Sequence, residues 1–329
     1  MGTTAFDENV IEKIKEKSAL FQALTSEAAK AIVGQHEIIT FFQLAILCEG
    51  HILLEGVPGV AKTTMIKAIN KALGLDFARI QFTPDLLPAD LVGTLIYNPK
   101  QQEFETKKGP IFANLVLADE INRAPAKVQA ALLEAMQERQ VTIGSTTFPL
   151  DRPFLVFATQ NPIEQEGTYR LPEAQVDRFL FKLLVNYPTK EQEQEIINKK
   201  IDLERINQII NKEDIFEAQK LVEKVYVDDK IKSYIVDLVF ATREPESYKL
   251  KSMAPFLLYG VSPRATLALH QAAKAHAFLR SRHFVIPDDV KAVAPSILRH
   301  RMLLSYEAEA EEISADSLIQ TILTTVPSP

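Results

Sequence analysis

The residues with the clearest chemistry are two glycines, a lysine and a threonine within residues 56–63. In order, this segment contains Gly56, Val57, Pro58, Gly59, Val60, Ala61, Lys62 and Thr63. It follows an apolar run at 51–55 and precedes a helix-forming stretch that starts with Thr64. In such a strand–loop–helix context, backbone N–H groups surround the phosphates of a nucleotide and the helix directs its positive end at them. The alternative is an apolar turn that happens to precede a helix.

Within this loop, two side chains have defined tasks. Lys62 would reach the β- and γ-phosphates, and the hydroxyl of Thr63 would bind Mg²⁺. Ala61 departs from the general pattern, which has glycine before the lysine. Alanine fits there only if the residue has a negative φ and if no atom of the nucleotide needs the space of its methyl group.

A second segment supplies the acidic groups that the phosphate loop lacks. The apolar run at 115–118 ends in two adjacent carboxylates, Asp119 and Glu120. This is typical of a buried parallel strand beside a phosphate loop. Asp119 would hold the Mg²⁺ shell, and Glu120 would orient and deprotonate the attacking water, a role that distinguishes hydrolysis from binding alone. A strand followed by a solvated acidic turn is the alternative.

Three further polar residues stand at the ends of predicted elements. Asn161 follows the apolar run at 154–159 and could hydrogen-bond the attacking water or the γ-phosphate. Arg178 comes just before another apolar run, too far along the core to reach the phosphates of its own subunit in most such folds. Arg264 begins a helix in the second half of the chain and could reach back to the nucleotide. For each arginine the alternative is a surface salt bridge, which contributes little to stability.

The elements that must position these residues form an α/β pattern. Near-continuous apolar runs at 51–55, 77–82, 115–118, 154–159 and 179–184 alternate with helical stretches, which predicts a five-stranded parallel sheet covered on both faces. Alternating segments at 93–97 and 103–106, and at 140–143 and 146–149, predict two hairpins. We expect residues 1–188 to form this core, with N-terminal helices and both hairpins, and residues 189–329 to form a smaller helical domain.

Composition limits the function classes. The 329 residues carry 37 Lys plus Arg against 43 Asp plus Glu, a net charge of −6, which argues against a generally basic nucleic-acid surface. The single cysteine, Cys48, lies in an apolar helix and is expected to be buried. The histidines lack metal-ligand spacing, since His270 and His276 miss the i, i+4 register. No run of about eighteen apolar residues occurs, so we expect a cytoplasmic protein without a membrane span.

Taken together, these segments resemble the AAA+ ATPases, and among them the MoxR family, over nearly the whole chain. The strings that carry the resemblance are residues 56–63, 82–88, 119–125 and 159–162, together with the segments around Arg178 and Arg264. Each string alone is weak or moderate evidence, whereas the ordered set is distinctive. Ala61, unusual for the general loop, is ordinary for this family.

The resemblance implies a role for each matching residue. Asn161 corresponds to the sensor-1 residue, Arg178 to the arginine finger inserted into a neighbour's site, and Arg264 to the sensor-2 residue of the lid. The segment of Val33, Gly34 and Gln35 is similar to the stretch that lines the adenine pocket. The two hairpins are similar to the helix-2 insert and the pre-sensor-1 hairpin, and each is either a contact element or a passive insert.

The function that the resemblance implies is Mg²⁺-dependent ATP hydrolysis within a ring of subunits, expected to be a hexamer. Hydrolysis would drive chaperone-like remodelling or maturation of partner proteins, such as proteins with von Willebrand factor A domains. Fold does not determine the client. Two alternatives stay open: a nucleic-acid motor or loader, and a nucleotide-gated scaffold that does not hydrolyse ATP.

Overall fold

The computed structural model describes residues 8–56, 62–161, 169–198 and 202–329. Two compact units can be distinguished: a core unit of residues 23–212, and a C-terminal unit that combines Glu213–Pro329 with the described residues up to Gln22. The boundary between the two units therefore lies after Lys212, and the N-terminal helix belongs to the C-terminal unit up to Gln22. The division into domains 1–188 and 189–329 stays a prediction.

The core unit is built on a five-stranded parallel sheet, as the sequence predicted. Its order is β2–β5–β8–β1–β9, so neighbouring strands are mostly distant in sequence. The strands of the core unit are β1 (Ile52–Gly56), β2 (Phe77–Gln81), β3 (Gly93–Asn98), β4 (Glu103–Lys108), β5 (Leu115–Asp119), β6 (Gln140–Ile143), β7 (Thr146–Pro149), β8 (Leu155–Gln160) and β9 (Phe181–Val185). The helices are α1 (Glu8–Ala28, shared with the C-terminal unit), α2 (His36–Leu47), α3 (Lys62–Leu73), α4 (Pro88–Val92), α5 (Ala126–Glu138), α6 (Glu173–Val176) and α7 (Lys190–Asn198).

Helices cover both faces of the sheet because the central strands are apolar on both sides. On one face the Phe42 ring of α2 stacks on Phe157 of β8, with 4.9 Å between the ring centroids. On the other face Leu132 of α5 belongs to the same buried cluster as Val116 of β5 and Val156 of β8. Cys48 is buried after α2, in agreement with its expected role as a small apolar residue, and burial raises the pKa of its thiol.

His51 connects the amino ends of the sheet strands. Its Nδ1 accepts a hydrogen bond from the backbone N–H of Val156 at 3.1 Å, which places the ring proton on Nε2. Nε2–H then donates to the carbonyl oxygen of Met136 at 3.2 Å. Burial lowers the pKa of His51 to about 4, so the ring is neutral and structural.

Both predicted hairpins are present and lie outside the main sheet. β3 pairs with β4 and β6 pairs with β7, each antiparallel. Gly144 has a φ of 62° at the turn of the second hairpin, a conformation that glycine adopts without cost. The Lys108 ammonium at the end of β4 lies 4.6 Å from the centroid of the Phe112 ring and 5.4 Å from that of Phe148 on β7. This contact links the two hairpins.

The C-terminal unit is mainly helical, as predicted. It also contains a short two-stranded ladder that the prediction of an all-helical domain omitted. Its elements are α8 (Lys212–Glu223), α9 (Asp229–Arg243), β10 (Leu257–Tyr259), α10 (Pro263–Leu279), α11 (Pro287–Leu298), β11 (Leu303–Leu304), α12 (Tyr306–Ala310) and α13 (Ala315–Thr325). Within the described ranges, no helix combines the length and apolar character that crossing a lipid bilayer requires.

Candidate active site

Part of the predicted site, including Asp119, lies where three adjacent strands of the sheet end. β5, β8 and β1 are neighbours and run in the same direction, so their carboxyl ends share one edge. Asp119 is the last residue of β5, Thr159 lies near the end of β8, and Gly56 is the last residue of β1. The carboxyl edge of an open parallel sheet is where ligands of α/β proteins bind.

Gly56 is required by close packing at this edge. A Cβ atom built on Gly56 would lie 2.3 Å from the carbonyl oxygen of Val185 on β9. Any larger residue would therefore push β9 away from β1 at the point where the phosphate loop begins. The next five predicted loop residues, Val57, Pro58, Gly59, Val60 and Ala61, lie outside the described residues.

Lys62 begins α3, and Thr63 and Thr64 follow it, half-buried, in the first turn. The Lys62 ammonium donates a hydrogen bond to the carbonyl oxygen of Gly56 at 2.6 Å. Burial lowers the pKa of Lys62, while the nearby carboxylates of Asp119, Glu120 and Glu55 act in the opposite direction. The lysine is thus partly desolvated and within electrostatic reach of both predicted catalytic carboxylates.

Both oxygens of Asp119 have partners on neighbouring strands. The Thr159 hydroxyl donates to Oδ1 at 2.7 Å and itself accepts the backbone N–H of Glu120 at 2.8 Å. Oδ2 accepts two hydrogen bonds from Arg79 on β2, from Nη2 at 2.6 Å and from Nε at 3.1 Å. One buried hydroxyl therefore connects the Asp119 carboxylate with the backbone of Glu120, and a guanidinium neutralises that carboxylate.

Glu120 adopts a left-handed backbone conformation, with φ 57° and ψ 52°. This conformation is unfavourable for a residue with a Cβ atom and is common at functional sites. It turns the chain sharply at the end of β5. The carboxylate Oε2 accepts hydrogen bonds from Gln81 Nε2 at 3.1 Å and from Arg123 Nη1 at 3.0 Å.

Two buried amides hold the segment after Glu120, and one of them contacts Asn161. Asn122 Nδ2 donates to the backbone oxygen of Asn161 at 3.3 Å, and its own backbone oxygen accepts the N–H of Tyr169 at 2.6 Å. Gln129 Nε2 lies 3.1 Å from the backbone oxygens of Ala124 and Tyr169. Asn161 is half-buried next to this cluster. The structure therefore brings Asn161 close to the two carboxylates, whereas its sensor role stays a prediction.

Arg178 lies at the opposite end of the strands, where their amino ends are. It lies three residues before Phe181, the first residue of β9, and the N–H of Leu180 donates to the backbone oxygen of His51 at 2.8 Å, before the start of β1. Because β9 and β1 are parallel, Arg178 lies at the amino ends of the strands, whereas Gly56 lies at the carboxyl end of β1. A parallel strand rises about 3.3 Å per residue, so the five residues of β9 separate the two edges by roughly 16 Å.

The remaining predicted residues belong to other elements than the sheet. Val33, Gly34 and Gln35 form the turn before α2, where Gly34 and Gln35 have φ values of 67° and 56°. Arg264 is exposed in the first turn of α10, in the C-terminal unit. Their roles in binding adenine and in sensing nucleotide stay predictions.

The residues at the carboxyl edge fit a magnesium nucleotide. They include a helix N-terminus, a partly buried ammonium group and oxygen donors of the type that Mg²⁺ prefers. In the described parts of the chain, no cluster of three or more His, Cys, Asp or Glu side chains could hold a metal by itself. That is compatible with Mg²⁺, which retains waters and takes one or two protein oxygens plus phosphate oxygens. Thr63 and Asp119 would be sufficient.

The sequence prediction missed three residues that shape the site: Arg79, Gln81 and Thr159. Gln81 lies directly opposite Asp119 in the β2–β5 register, and Arg79 lies two residues earlier on the same face. The alternation of side chains along β2 predicts that Arg79 and Gln81 share one face. The sequence does not reveal that β2 lies beside β5, which is what brings that face next to Asp119. Thr159 belongs to the string at 159–162, but nothing in the sequence assigned its hydroxyl to Asp119.

Comparison with known proteins agrees with this architecture. The model of the ATPase family associated with various cellular activities (AAA) matches residues 51–181, and the model of the AAA lid domain matches residues 252–322. Chaperone MoxR1 of Mycobacterium tuberculosis is 49% identical over 304 residues, covering 92% of this chain and 81% of that protein. Protein YeaC of Bacillus subtilis is 49% identical over 303 residues, covering 91% and 92%. A crystal structure from Cytophaga hutchinsonii, described as a candidate ATPase, superposes with a TM-score of 0.92 at 51% identity, covering 98% of each chain.

Proposed function

Because the chain belongs to the MoxR family of AAA+ ATPases, we propose that it hydrolyses ATP with Mg²⁺ to remodel or mature partner proteins. The observation that carries the proposal is the position of the Lys62 ammonium. It lies at the start of α3, hydrogen-bonded to Gly56 and within electrostatic reach of Asp119 and Glu120. A cation, two carboxylates and a helix N-terminus at one sheet edge are the parts that phosphoryl transfer requires.

Nucleotide binding would proceed by exchange of hydrogen-bond partners. Lys62 would turn from the carbonyl oxygen of Gly56 to the β- and γ-phosphate oxygens. The Thr63 hydroxyl and an oxygen of Asp119 would hold Mg²⁺, which when bound neutralises charge on the transferring phosphoryl group. Thr64 and the loop residues before Lys62 would complete the phosphate contacts through their backbone N–H groups.

Hydrolysis would depend on Glu120. Its carboxylate would accept a proton from the attacking water while Asn161 held that water or the γ-phosphate by a hydrogen bond. The hydrogen bonds from Gln81 and Arg123 stabilise the ionised carboxylate. Glu120 must give up part of this contact to approach the water.

Arg178 would act on a neighbouring subunit. Its place at the amino edge of the sheet, about 16 Å from the carboxyl edge of its own subunit, supports action in trans. Such an arginine contributes about 10³–10⁵ in rate when it neutralises the transferring phosphoryl group. The assembly would be a ring, because in a closed ring each site receives one Arg178 from its neighbour. The resemblance to the family suggests that the ring is a hexamer.

The C-terminal unit would serve as the lid. Arg264 would contact the nucleotide from α10, and the turn of Val33, Gly34 and Gln35 would contact the adenine. Binding and hydrolysis of ATP would then shift the protein between conformations, so that hydrolysis drives a conformational cycle. The client would be another protein, such as one with a von Willebrand factor A domain, and the location would be the cytoplasm.

The decisive experiment compares the parent with Glu120→Gln and Lys62→Ala. The parent should release phosphate in the presence of Mg²⁺, and Glu120→Gln should bind ATP and retain its client in a pull-down without turnover. Lys62→Ala should lose nucleotide affinity and serve as the control for client capture. Phosphate release by Glu120→Gln at the parent rate would refute the base assignment.

The same assay separates the two alternative functions. Salt-sensitive stimulation of the ATPase activity by DNA would favour a nucleic-acid motor. Absence of phosphate release at high protein concentration would favour a scaffold.

A further inference from the structure

Arg79 contacts both halves of the catalytic network. Its side chain projects from β2, an edge strand of the sheet, next to the end of β5. Nη2 donates to Asp119 Oδ2 at 2.6 Å and to Gln81 Oε1 at 3.0 Å. Gln81 Nε2 in turn donates to Glu120 Oε2 at 3.1 Å. The Arg79 guanidinium thus contacts Asp119 directly and is connected to Glu120 through the Gln81 amide.

The direction of these hydrogen bonds is determined by chemistry. A guanidinium can only donate, so Gln81 must present its Oε1 to Arg79. Its Nε2 then necessarily faces Glu120, where a donor stabilises the carboxylate and an amide oxygen would repel it. Arg79 therefore selects the amide orientation that holds Glu120.

The Arg79 guanidinium donates to Oδ2 of Asp119, whereas the Thr159 hydroxyl donates to Oδ1. Thr159 is buried and Arg79 is partly exposed, so Oδ2 has the more exposed of the two partners. A divalent cation that approaches this carboxylate meets a positive charge already paired with it. Removal of that charge should raise the attraction of Asp119 for the cation.

We propose that Arg79 is a positioning residue that competes with the divalent cation for Asp119 and thereby couples metal occupancy to the release of Glu120. When the metal draws Asp119 away, Arg79 loses its main partner and its hold on the Gln81 amide weakens. Glu120 then becomes free to turn towards water only when metal and nucleotide are in place. This inference rests on the proposed function, since it requires that Asp119 serve a metal.

The test measures metal binding rather than turnover. Mn²⁺ replaces Mg²⁺, a non-hydrolysable ATP analogue is present, and free Mn²⁺ is followed by electron paramagnetic resonance. Arg79→Ala and Arg79→Gln should bind Mn²⁺ about three- to fivefold more tightly than the parent, because a partly exposed ion pair contributes up to about 1 kcal/mol, or fivefold. Arg79→Lys should restore an affinity close to that of the parent.

Arg123→Ala is the matched control. The side chains of Arg79 and Arg123 are 45% and 48% exposed, and each pairs with one carboxylate of the site, so both variants lose the same charge. Arg123 contacts Glu120 but is not paired with Asp119, so Arg123→Ala should leave Mn²⁺ affinity within about twofold of the parent. Circular dichroism checks that each variant is folded.

The outcomes separate this inference from the proposed function. Unchanged or weaker Mn²⁺ binding in Arg79→Ala and Arg79→Gln, with normal binding in the parent, overturns the role of Arg79 alone. An equal gain in Arg123→Ala also overturns it, because charge anywhere near the site would then be sufficient. Absence of nucleotide-dependent Mn²⁺ binding in the parent overturns both proposals.

Discussion

Glu120 is a position where replacement by glycine should give a more stable protein than replacement by alanine. Both substitutions remove the same carboxylate and the same hydrogen bonds to Gln81 and Arg123, so the two variants differ only in what the backbone tolerates. At φ 57° and ψ 52°, a Cβ atom costs about 1–2 kcal/mol, whereas glycine adopts this conformation freely. The glycine variant avoids that cost, but it is destabilised by about 0.4–1 kcal/mol because its unfolded chain has greater conformational entropy. The net advantage of Glu120→Gly over Glu120→Ala is therefore about 0.5–1 kcal/mol.

Urea denaturation followed by circular dichroism measures this difference, and thermal unfolding should show a midpoint about 1–4 °C higher for Glu120→Gly. Glu134 provides the control, since it is exposed in the middle of α5, where alanine should be more stable than glycine by about 1 kcal/mol. If Glu120→Ala proves at least as stable as Glu120→Gly, the left-handed turn stores no strain. Neither variant should hydrolyse ATP, because both lack the carboxylate. If glycine is the more stable replacement, the protein retains a strained residue because the turn places a carboxylate at the end of β5.

Four further outcomes follow from the same geometry. Thr159→Val should destabilise the core unit by about 1–3 kcal/mol in urea titrations, since it leaves the Glu120 N–H unpaired, and Thr159→Ser should be nearly neutral. Gly56→Ala should abolish binding of a fluorescent ATP analogue, because its Cβ would lie 2.3 Å from the Val185 carbonyl oxygen; retained affinity would disprove this packing argument. His51 has a pKa lowered from 6.5 to about 4, so stability should be constant above pH 6.5 and fall by up to about 1.4 kcal/mol per pH unit towards pH 4. A His51→Gln variant should show a flatter pH profile. Arg178→Ala should have a low specific ATPase activity that does not rise with protein concentration, whereas that of the parent should rise; a constant value for the parent would contradict action in trans.

The sheet and much of the site were predictable because their signals are local. Each central strand is buried on both faces, so its apolar run is continuous and short. Gly144 and Ser145 mark the turn of the second hairpin between two alternating segments. Lys62, Asp119 and Glu120 stand at strand and helix ends, where a residue's chemical type predicts a task without knowledge of its neighbours in space.

What the sequence concealed depends on contacts between distant segments. β2 lies beside β5 and not beside β1, and only that order brings Arg79 and Gln81 to the two carboxylates. The ladder of β10 with β11 joins residues 257–259 to residues 303–304, and neither strand has an alternating pattern long enough to be recognised. The shared helix α1 has uniform helical spacing, which gives no sign that its first turns pack with the C-terminal unit.

The hydrogen bonds of the candidate site suggest how the proposed nucleotide binding would stay reversible. Lys62 is paired with Gly56, Asp119 with Arg79 and Thr159, and Glu120 with Gln81 and Arg123. If a nucleotide binds as proposed, each of these groups would exchange one polar partner for another, so none would be desolvated without a partner. The net gain for each exchange is only the difference between two hydrogen bonds, about 1 kcal/mol rather than the full strength of either. An ATPase that must release its product in every cycle benefits from such small differences, because a site with unpaired charges would bind the product diphosphate too strongly to turn over.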